Sequence, residues 1–212
     1  MIYDALKRLI DIFLATILII GFSPIFLFVP ILIKLDSAGP VFAEIPKRVG
    51  KNRKPFRMYK FRSMIANAHQ LLQASPGFRR LYEQYKKNSY KLKDDPRITR
   101  VGRFLRRFSL DELPQVFNVL RGEMSIVGPR AYYPEELEEQ QKNYPQTRKH
   151  VKELLKAKPG ITGYWQVTGR SEINFDKRVK MDVDYVRKRS ILEDLVIIAK
   201  TPWVMVSGKG AL

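Results

Sequence analysis

Two adjacent carboxylates, Asp111 and Glu112, are the residues of this sequence best suited to chemistry. Basic side chains precede them at Arg106 and Arg107. An ionised aspartate beside cations can act as a nucleophile or as a ligand for a divalent metal. The same residues could instead form a helix cap with surface ion pairs, which are common at helix starts. Residue spacing alone leaves both interpretations open.

The residues around this dyad predict a helix start. Ser109-Leu110-Asp111-Glu112 has the pattern of a capping box, and Pro114 could instead be the first helical residue. Both arrangements place Asp111 at a helix N-terminus. There the helix dipole and the nearby arginines favour an ionised carboxylate.

Two glycine-containing loops follow the dyad. Residues 124–127 read as a short strand leading into Gly128-Pro129-Arg130, where main-chain amides and a guanidinium suit a phosphate. The stretch 159–170 is rich in glycine and aromatic residues and ends at Arg170, so it could form a pocket wall for a nucleotide or sugar. It lacks the spacing of a P-loop or a Rossmann motif.

A third carboxylate, Asp182, is predicted to lie on the apolar face of a helix. It shares the helical spacing of Phe175, Val179 and Val186. A carboxylate on such a face needs a cation, a hydrogen bond or a metal. A structural pair with one of the many arginines explains it as well as a functional site does.

The composition predicts an anionic partner. The 212 residues carry a net charge of +18, which suits nucleic acid, an acidic membrane surface or phosphorylated substrates. Disulfides and thiolate metal sites are excluded because the chain has no cysteine. The two histidines, His69 and His150, are far apart in sequence and do not indicate a metal cluster.

The N-terminal part contains an uncharged apolar run, residues 12–33, that is long enough to enter a bilayer. Ser23-Pro24 lies at its middle, where proline removes a helical hydrogen bond and bends the helix. Basic residues flank both ends, so the positive-inside rule places both ends on the cytoplasmic side. We therefore expect a helix that enters one leaflet and returns. A single-pass anchor with a periplasmic N-terminus is the simpler alternative.

The rest of the chain indicates a mixed, helix-rich α/β domain. Residues 55–64 read as a strand that carries Lys60 among aromatic and basic side chains, which could bind nucleic acid, phosphates or lipid headgroups. The acidic segment 135–141 is expected to be a solvated helix, and the apolar stretch 192–206 could lie in the membrane interface or cover the core. Further helices are expected at 66–73, 78–90, 150–158 and 172–189.

The chain resembles the bacterial sugar transferases, the monotopic phosphoglycosyl transferases that begin glycan assembly on polyprenyl phosphate, over nearly its whole length. The resemblance rests on Ser23-Pro24 and on residues 59–64 (YKFRSM), 94–99 (DDPRIT), 109–115 (SLDELPQ), 124–130 (MSIVGPR) and 159–170 (PGITGYWQVTGR). These motifs are specific together, although each is weak alone. One departure is Ala131, where the family often has proline after Gly-Pro-Arg.

The resemblance implies a small catalytic domain, residues 36–212, at the cytoplasmic face of the bacterial inner membrane. Residues 1–35 would form a re-entrant membrane helix broken at Ser23-Pro24, with amphipathic helices at the interface. The implied reaction transfers a sugar-1-phosphate from a UDP-sugar, a hexose such as glucose or galactose, to polyprenyl phosphate and releases UMP. Mg²⁺ is the implied cofactor, and the reaction is the first membrane step of polysaccharide or glycoconjugate assembly. Larger family members carry additional N-terminal helices, so this chain corresponds to a minimal enzyme or to part of a longer one.

The resemblance also implies roles for individual residues. Asp111 looks like a nucleophile that attacks the phosphate bearing the sugar and forms a phosphosugar–enzyme intermediate. Glu112 looks like its partner, which orients the site or handles the acceptor proton. Asp182 is similar to an active-site carboxylate near the metal, where Asp111 would also be a ligand. The expected phosphate partners are Lys60, Arg106, Arg130 and Arg170.

Two rival hypotheses predict different behaviour. A nucleic-acid-binding protein would show salt-sensitive binding to DNA or RNA, but it has no use for the apolar run 12–33, so no nucleic-acid partner is expected. A peripheral membrane scaffold would bind membranes without depending on Asp111. The expected partners are the UDP-sugar, polyprenyl phosphate and membrane lipids, and a homodimer is open because an exposed aromatic helix could pack on itself.

Overall fold

The computed structural model describes residues 2–87, 92, 95–168 and 173–207. Within these residues the chain forms a helix-rich fold with two sheets of two short strands each, which confirms the predicted mixed class. The helices are α1 (Ile2–Gly21), α2 (Ser23–Asp36), α3 (Ala68–Ala74), α4 (Arg79–Lys87), α5 (Arg100–Arg107), α6 (Gln115–Leu120), α7 (Pro134–Asn143), α8 (Arg148–Leu154), α9 (Tyr164–Thr168), α10 (Phe175–Lys188) and α11 (Ile191–Ser207). The strands are β1 (Arg48–Val49), β2 (Pro55–Phe56), β3 (Ser125–Val127) and β4 (Gly160–Thr162).

The N-terminal apolar run forms two helices. α1 ends at Gly21, α2 begins at Ser23, and the two helices are bent by 61° relative to each other. Pro24 lies in the first turn of α2, where the missing N–H of proline costs no helical hydrogen bond. The predicted break at Ser23-Pro24 is therefore confirmed. No single helix in the described residues is long and apolar enough to cross a bilayer, whereas this bent pair could do so by length and composition.

One face of α1 belongs to the core of the domain. Ala15 is fully buried within the main apolar cluster. The Arg8 guanidinium donates to the main-chain oxygens of Val119 and Leu120, at 2.5 and 2.8 Å, and so satisfies carbonyls at the end of α6. Residues 1–35 stay a predicted membrane segment, and the first half of this segment shares the core of residues 36–212.

The second predicted strand is much shorter than expected. The prediction of a strand over 55–64 is wrong beyond β2, which pairs antiparallel with β1. After β2, the side chain of Asn118 takes the place of a neighbouring strand: it accepts a hydrogen bond from the Tyr59 N–H at 2.9 Å and donates to the Arg57 oxygen at 2.8 Å. An amide side chain can satisfy one donor and one acceptor in this way, so the segment stays extended without continuing the sheet.

The second sheet is a parallel pair, β3 with β4, in which Ser125 lies opposite Gly160 and Val127 opposite Thr162. The two strands approach closely at their glycines, since a Cβ on Gly160 would collide with the main-chain nitrogen of Gly128. Glycine is required where two backbones meet at such a distance. The parallel pair therefore fixes the start of the Gly128-Pro129-Arg130 loop.

The predicted helices all have counterparts in α3, α4, α7, α8 and α10. The apolar face of α10 is buried as expected, with Phe175, Val179 and Val183 in one cluster. α11 covers the core, as one alternative proposed, since Ile197 is buried there. Trp203 is 77% exposed, and a place in the membrane interface stays a prediction.

Candidate active site

The dyad lies in a single 3₁₀ turn, Leu110–Glu112, immediately before α6. The predicted capping box does not form, because Ser109 adopts a left-handed backbone with φ of 55° and its side chain makes no capping hydrogen bond. Pro114 is the N-cap of α6 and not its first helical residue. The main-chain oxygen of Asp111 accepts a hydrogen bond from the Phe61 N–H at 2.9 Å, which holds the turn against the segment that carries Lys60.

Glu112 forms an ion pair with Lys60, with 2.6 Å between Oε1 and Nζ. The sequence analysis selected both residues, and the structure joins them across the fold. Burial opposes ionisation of Glu112, but the Lys60 ammonium and the more distant Arg130 outweigh it and hold the pKa of Glu112 below its usual range. The charge of Glu112 is therefore directed at a cation.

The pKa of Asp111 shifts in the direction opposite to the prediction. The carboxylate is 6% exposed, and this burial raises its pKa, while the neighbouring Glu112 charge adds to the rise. Lys60 and Arg106 act in the opposite direction but do not cancel it. The helix dipole and the arginines are expected to favour ionised Asp111, but desolvation of this buried carboxylate exceeds their attraction and raises its pKa. That Asp111 is ionised stays a prediction. A further cation at the site would favour the ionised form.

Arg130 follows β3 and is held by three elements. The main-chain N–H of Arg130 donates to Asp182 Oδ2 on α10 at 3.1 Å. Its guanidinium Nε lies 3.8 Å from Glu136 Oε1 on α7, and the guanidinium carbon is 5.5 Å from the centre of the Trp165 ring. A guanidinium stacked and paired in this way has little freedom to rotate, so Arg130 is directed by its surroundings.

The sequence analysis missed a buried ion pair behind Arg130. Arg178 and Glu136 are 0% and 1% exposed, with 3.6 Å between Arg178 Nη1 and Glu136 Oε1. The expectation of a fully solvated helix at 135–141 is therefore wrong, since the inner face of α7 is buried at Glu136, Leu137 and Gln140. One signal could have found Arg178: it precedes Asp182 by four residues and so lies on the same helical face.

Asp182 is fully buried, as its place on the apolar face predicted. Burial raises the pKa of its carboxyl to about 7, against the Arg130 N–H and the Arg178 charge, which lower it. In the described part of the chain, its Oδ1 atom has no hydrogen-bond partner. Asp182 contacts the main chain of Arg130 from behind and is not in the wall of the cavity described next. Its metal role stays a prediction.

A cavity of about 980 Å³ lies in front of the dyad. It brings together most of the predicted site residues, which are Lys60, Arg106, Asp111, Glu112 and Arg130. Arg170 lies outside the described residues. Three cations and two carboxylates that line one cavity can bind a diphosphate and present a carboxylate oxygen to it.

The dyad also fits the Mg²⁺ that the resemblance implies. No group of three or more metal-binding side chains is present in the residues that the structure describes. Mg²⁺ needs only one or two protein carboxylates when substrate phosphates and waters complete its coordination. Asp111 and Glu112 on the cavity wall supply this donor set, so they suit a metal that binds together with a diphosphate.

One family model and several known proteins match this chain in sequence. The family model described as "Bacterial sugar transferase" matches residues 2–208. The chain is 42% identical to an uncharacterized sugar transferase of Haemophilus influenzae, over 97% of this chain and 42% of that protein. It is 42% identical to the exopolysaccharide production protein ExoY of Sinorhizobium fredii, over 92% of this chain and 83% of that protein. It is 40% identical to the undecaprenyl-phosphate galactose phosphotransferase of Salmonella typhimurium, over 97% of this chain and 41% of that protein.

The chain thus spans about two fifths of the length of the Haemophilus and Salmonella relatives and most of the length of ExoY. The family match covers almost the entire chain, including the bent helix pair and the dyad. The protein therefore belongs to the bacterial sugar transferase family.

Proposed function

We propose that the protein transfers a sugar-1-phosphate from a UDP-sugar to polyprenyl phosphate and releases UMP. The observation that carries this proposal is the single cavity that Asp111, Glu112 and three cations line together. The Salmonella relative is named for galactose and undecaprenyl phosphate, so we propose a hexose such as galactose or glucose as the sugar. The product would enter polysaccharide or glycoconjugate assembly.

The reaction would proceed in two displacements at one phosphorus atom. A carboxylate oxygen of Asp111 attacks the phosphorus that bears the sugar, the bond from this phosphorus to UMP breaks, and UMP leaves with the electron pair. A phosphate oxygen of the acceptor then attacks the same phosphorus, the bond to Asp111 breaks, and the carboxylate is restored. Covalent catalysis of this kind divides one difficult transfer into two easier steps.

The residues around Asp111 would support both steps. Lys60, Arg106 and Arg130 would neutralise the phosphates, and we assign Arg170 the same role. Glu112 would orient Lys60 and accept a proton from the acceptor. Burial raises the pKa of Asp111, and the attack requires its ionised form, which the surrounding cations would favour. Bound Mg²⁺ at the dyad, with Asp182 as the other expected metal-site carboxylate, would stabilise the charge on the departing UMP.

We also propose that α1 and α2 form a re-entrant membrane helix in the bacterial inner membrane, with the catalytic domain on the cytoplasmic face. Basic residues at both ends of the bent pair support this arrangement. So do the exposed apolar side chains of α2, such as Leu27 and Phe28, which are 62% and 59% exposed. A tag at residue 1 that reacts with a membrane-impermeant reagent from the periplasmic side would contradict it. A homodimer stays a prediction.

The test is Mg²⁺-dependent UMP release from a panel of UDP-sugars, with undecaprenyl phosphate in detergent. Without the lipid, a donor labelled at the phosphorus that bears the sugar should transfer its label to the protein. We expect Asp111→Asn to lose both signals and the exposed control Glu138→Gln to keep them. Equal activity of Asp111→Asn would remove the covalent mechanism. Membrane binding without release from any UDP-sugar would favour the scaffold hypothesis.

A further inference from the structure

Two buried charged residues contact Arg130 without reaching the cavity themselves. Among the described residues, Arg130 lines the cavity, whereas Glu136 and Arg178 do not. Glu136 belongs to α7 and Arg178 to α10, and the two residues are 1% and 0% exposed. A ligand in the cavity therefore meets Arg130 and not the two residues behind it.

Glu136 contacts two guanidinium groups at once. Its Oε1 atom is 3.8 Å from Arg130 Nε and 3.6 Å from Arg178 Nη1. Its other oxygen, Oε2, accepts a hydrogen bond from the main-chain N–H of Tyr133 at 3.5 Å. A charge buried this deeply needs partners of opposite sign, and Glu136 has two. The three side chains form a row of alternating charge, Arg178–Glu136–Arg130, whose last member lines the cavity.

Aromatic rings restrict both arginines of this row. The guanidinium carbons of Arg130 and Arg178 lie 5.5 Å and 5.1 Å from the centre of the Trp165 ring. The Arg130 carbon is also 5.8 Å from the centre of the Tyr132 ring. Rings at these distances attract a cation. Together with Glu136, they hold the Arg130 guanidinium in a small region beside the cavity.

Glu136 also supports the charge of Arg130. Burial opposes the charged form of Arg130, and the attraction of Glu136 is the largest of those that outweigh burial, so the pKa of Arg130 lies above its usual value. Glu112 of the dyad acts in the same direction. Without Glu136, the remaining attraction would draw Arg130 toward Glu112, whose charge already pairs with Lys60.

We propose that Glu136 and Arg178 are positioning residues for Arg130. Glu136 holds the Arg130 guanidinium beside the cavity and away from Glu112, and Arg178 holds Glu136 in place. This inference rests on the proposed function, in which Arg130 neutralises a substrate phosphate. A guanidinium that is already oriented loses little freedom when the phosphate binds. A buried pair that served stability alone could be replaced by apolar residues without loss.

A kinetic double-mutant cycle tests the positioning role. We expect Glu136→Gln, which keeps the shape and removes the charge, to lower kcat for UMP release by about tenfold or more. In an Arg130→Gln background, the same substitution should change kcat by less than about twofold, because it acts through Arg130. The matched control is Glu138→Gln, an exposed residue of α7, which should change kcat in neither background. An equal loss in both backgrounds, or no loss in either, would overturn the proposal.

A second variant keeps the test decisive if Glu136→Gln does not fold. The double substitution Glu136→Gln/Arg178→Met removes both charges together, so neither is left buried without the other. We expect its unfolding midpoint to stay close to that of the wild type and its kcat to fall by about tenfold or more, but only while Arg130 is present. A folded double variant with the kcat of the wild type would overturn the proposal.

The outcomes separate this inference from the proposed function. A wild-type protein that releases no UMP from any UDP-sugar would reject the proposed transferase, and this inference with it. An active wild type whose kcat does not depend on Arg130 or Glu136 would leave the transferase standing and overturn the positioning role.

Discussion

Asp111 and Asp194 are both buried aspartates close to a lysine, but their surroundings differ. Asp194 is 4% exposed and accepts three hydrogen bonds, from the Tyr185 hydroxyl at 2.6 Å, the Lys7 ammonium at 2.8 Å and the Tyr3 hydroxyl at 3.1 Å. Asp111 is 6% exposed and faces the cavity, while the nearest lysine, Lys60, is held by Glu112.

The difference separates a structural carboxylate, Asp194, from a candidate nucleophile, Asp111. Asp194 links α1, α10 and α11, and burial together with Asp194 raises the pKa of Tyr185, which keeps this tyrosine a donor. Burial removes water from Asp111, and Lys60, one of the two cations that would offset this, is paired with Glu112. The pKa of Asp111 therefore rises. A buried titratable group in a cleft with a perturbed pKa is a candidate for catalysis, whereas a fully satisfied one contributes to stability.

The largest effect is expected for Asp111→Asn. The amide has the same shape but cannot attack phosphorus, so kcat should fall by at least ~10³-fold. The free energy of unfolding should change by less than about 1 kcal/mol, because no strong partner is lost. Steady-state UMP release and denaturant unfolding in detergent measure the two quantities. A strongly destabilised variant would show that Asp111 resembles Asp194 after all.

Asp194→Asn should show the reverse behaviour. The substitution leaves the Lys7 ammonium without its counter-charge, and breaking a buried pair costs about 3–5 kcal/mol. Denaturant unfolding measures this loss, and the neighbouring Glu193→Gln, which is not part of the Asp194 cluster, is the control. Stability equal to that of the control would mean that Lys7 finds another partner or becomes solvated.

Glu112→Gln should have a smaller effect on activity than Asp111→Asn, about 10–100-fold in kcat. Removing the Glu112 charge also removes one cause of the raised pKa of Asp111 and frees Lys60 to attract it. The pKa of Asp111 should therefore fall, and the acidic limb of the kcat/KM profile should move to lower pH. An unshifted limb would show that Asp111 does not control this part of the profile.

The last prediction concerns Asp182 and the pH dependence of stability. Its folded-state pKa of about 7 lies above the unfolded value near ~4, so the folded state binds the proton more tightly. Its contribution to stability is complete below the unfolded pKa and is lost as pH rises from about 4 to about 7. In Asp182→Asn, which resembles the protonated acid, this decline should be absent. Unfolding midpoints of both proteins at several pH values test it, and parallel curves would contradict the prediction.

Local features of the fold were predictable from the sequence. The break at Ser23-Pro24 is confirmed because proline acts on its own helical turn, wherever the helix lies. The buried face of α10 is confirmed because helical spacing places Val179 and Asp182 on one side. The strand over 55–64 is wrong beyond Phe56 because the neighbour of Arg57 and Tyr59 is the side chain of Asn118, 59 residues after Tyr59 in the chain. Further along, Phe61 forms only an isolated bridge with Phe42.

The candidate site was predictable in its members but not in its pairing. The motifs identified Lys60 and Glu112 separately, and only the fold joins them over 52 residues. The buried pair of Arg178 with Glu136 was missed because one partner lies in an acidic segment that reads as solvated. A charge pattern cannot show which carboxylate of a helix faces inward when its partner is on another helix.

The sequence by itself determined the bend between α1 and α2, the apolar face of α10 and the residue types of the site, because each depends on neighbours within a few turns of chain. Only the tertiary structure decided in which direction the pKa of each dyad carboxylate shifts. That outcome depends on burial and on the distance to Lys60, and both are set by segments that are far apart in sequence. Desolvation and Coulomb attraction act through space, so their balance at Asp111 and Glu112 exists only in the folded chain.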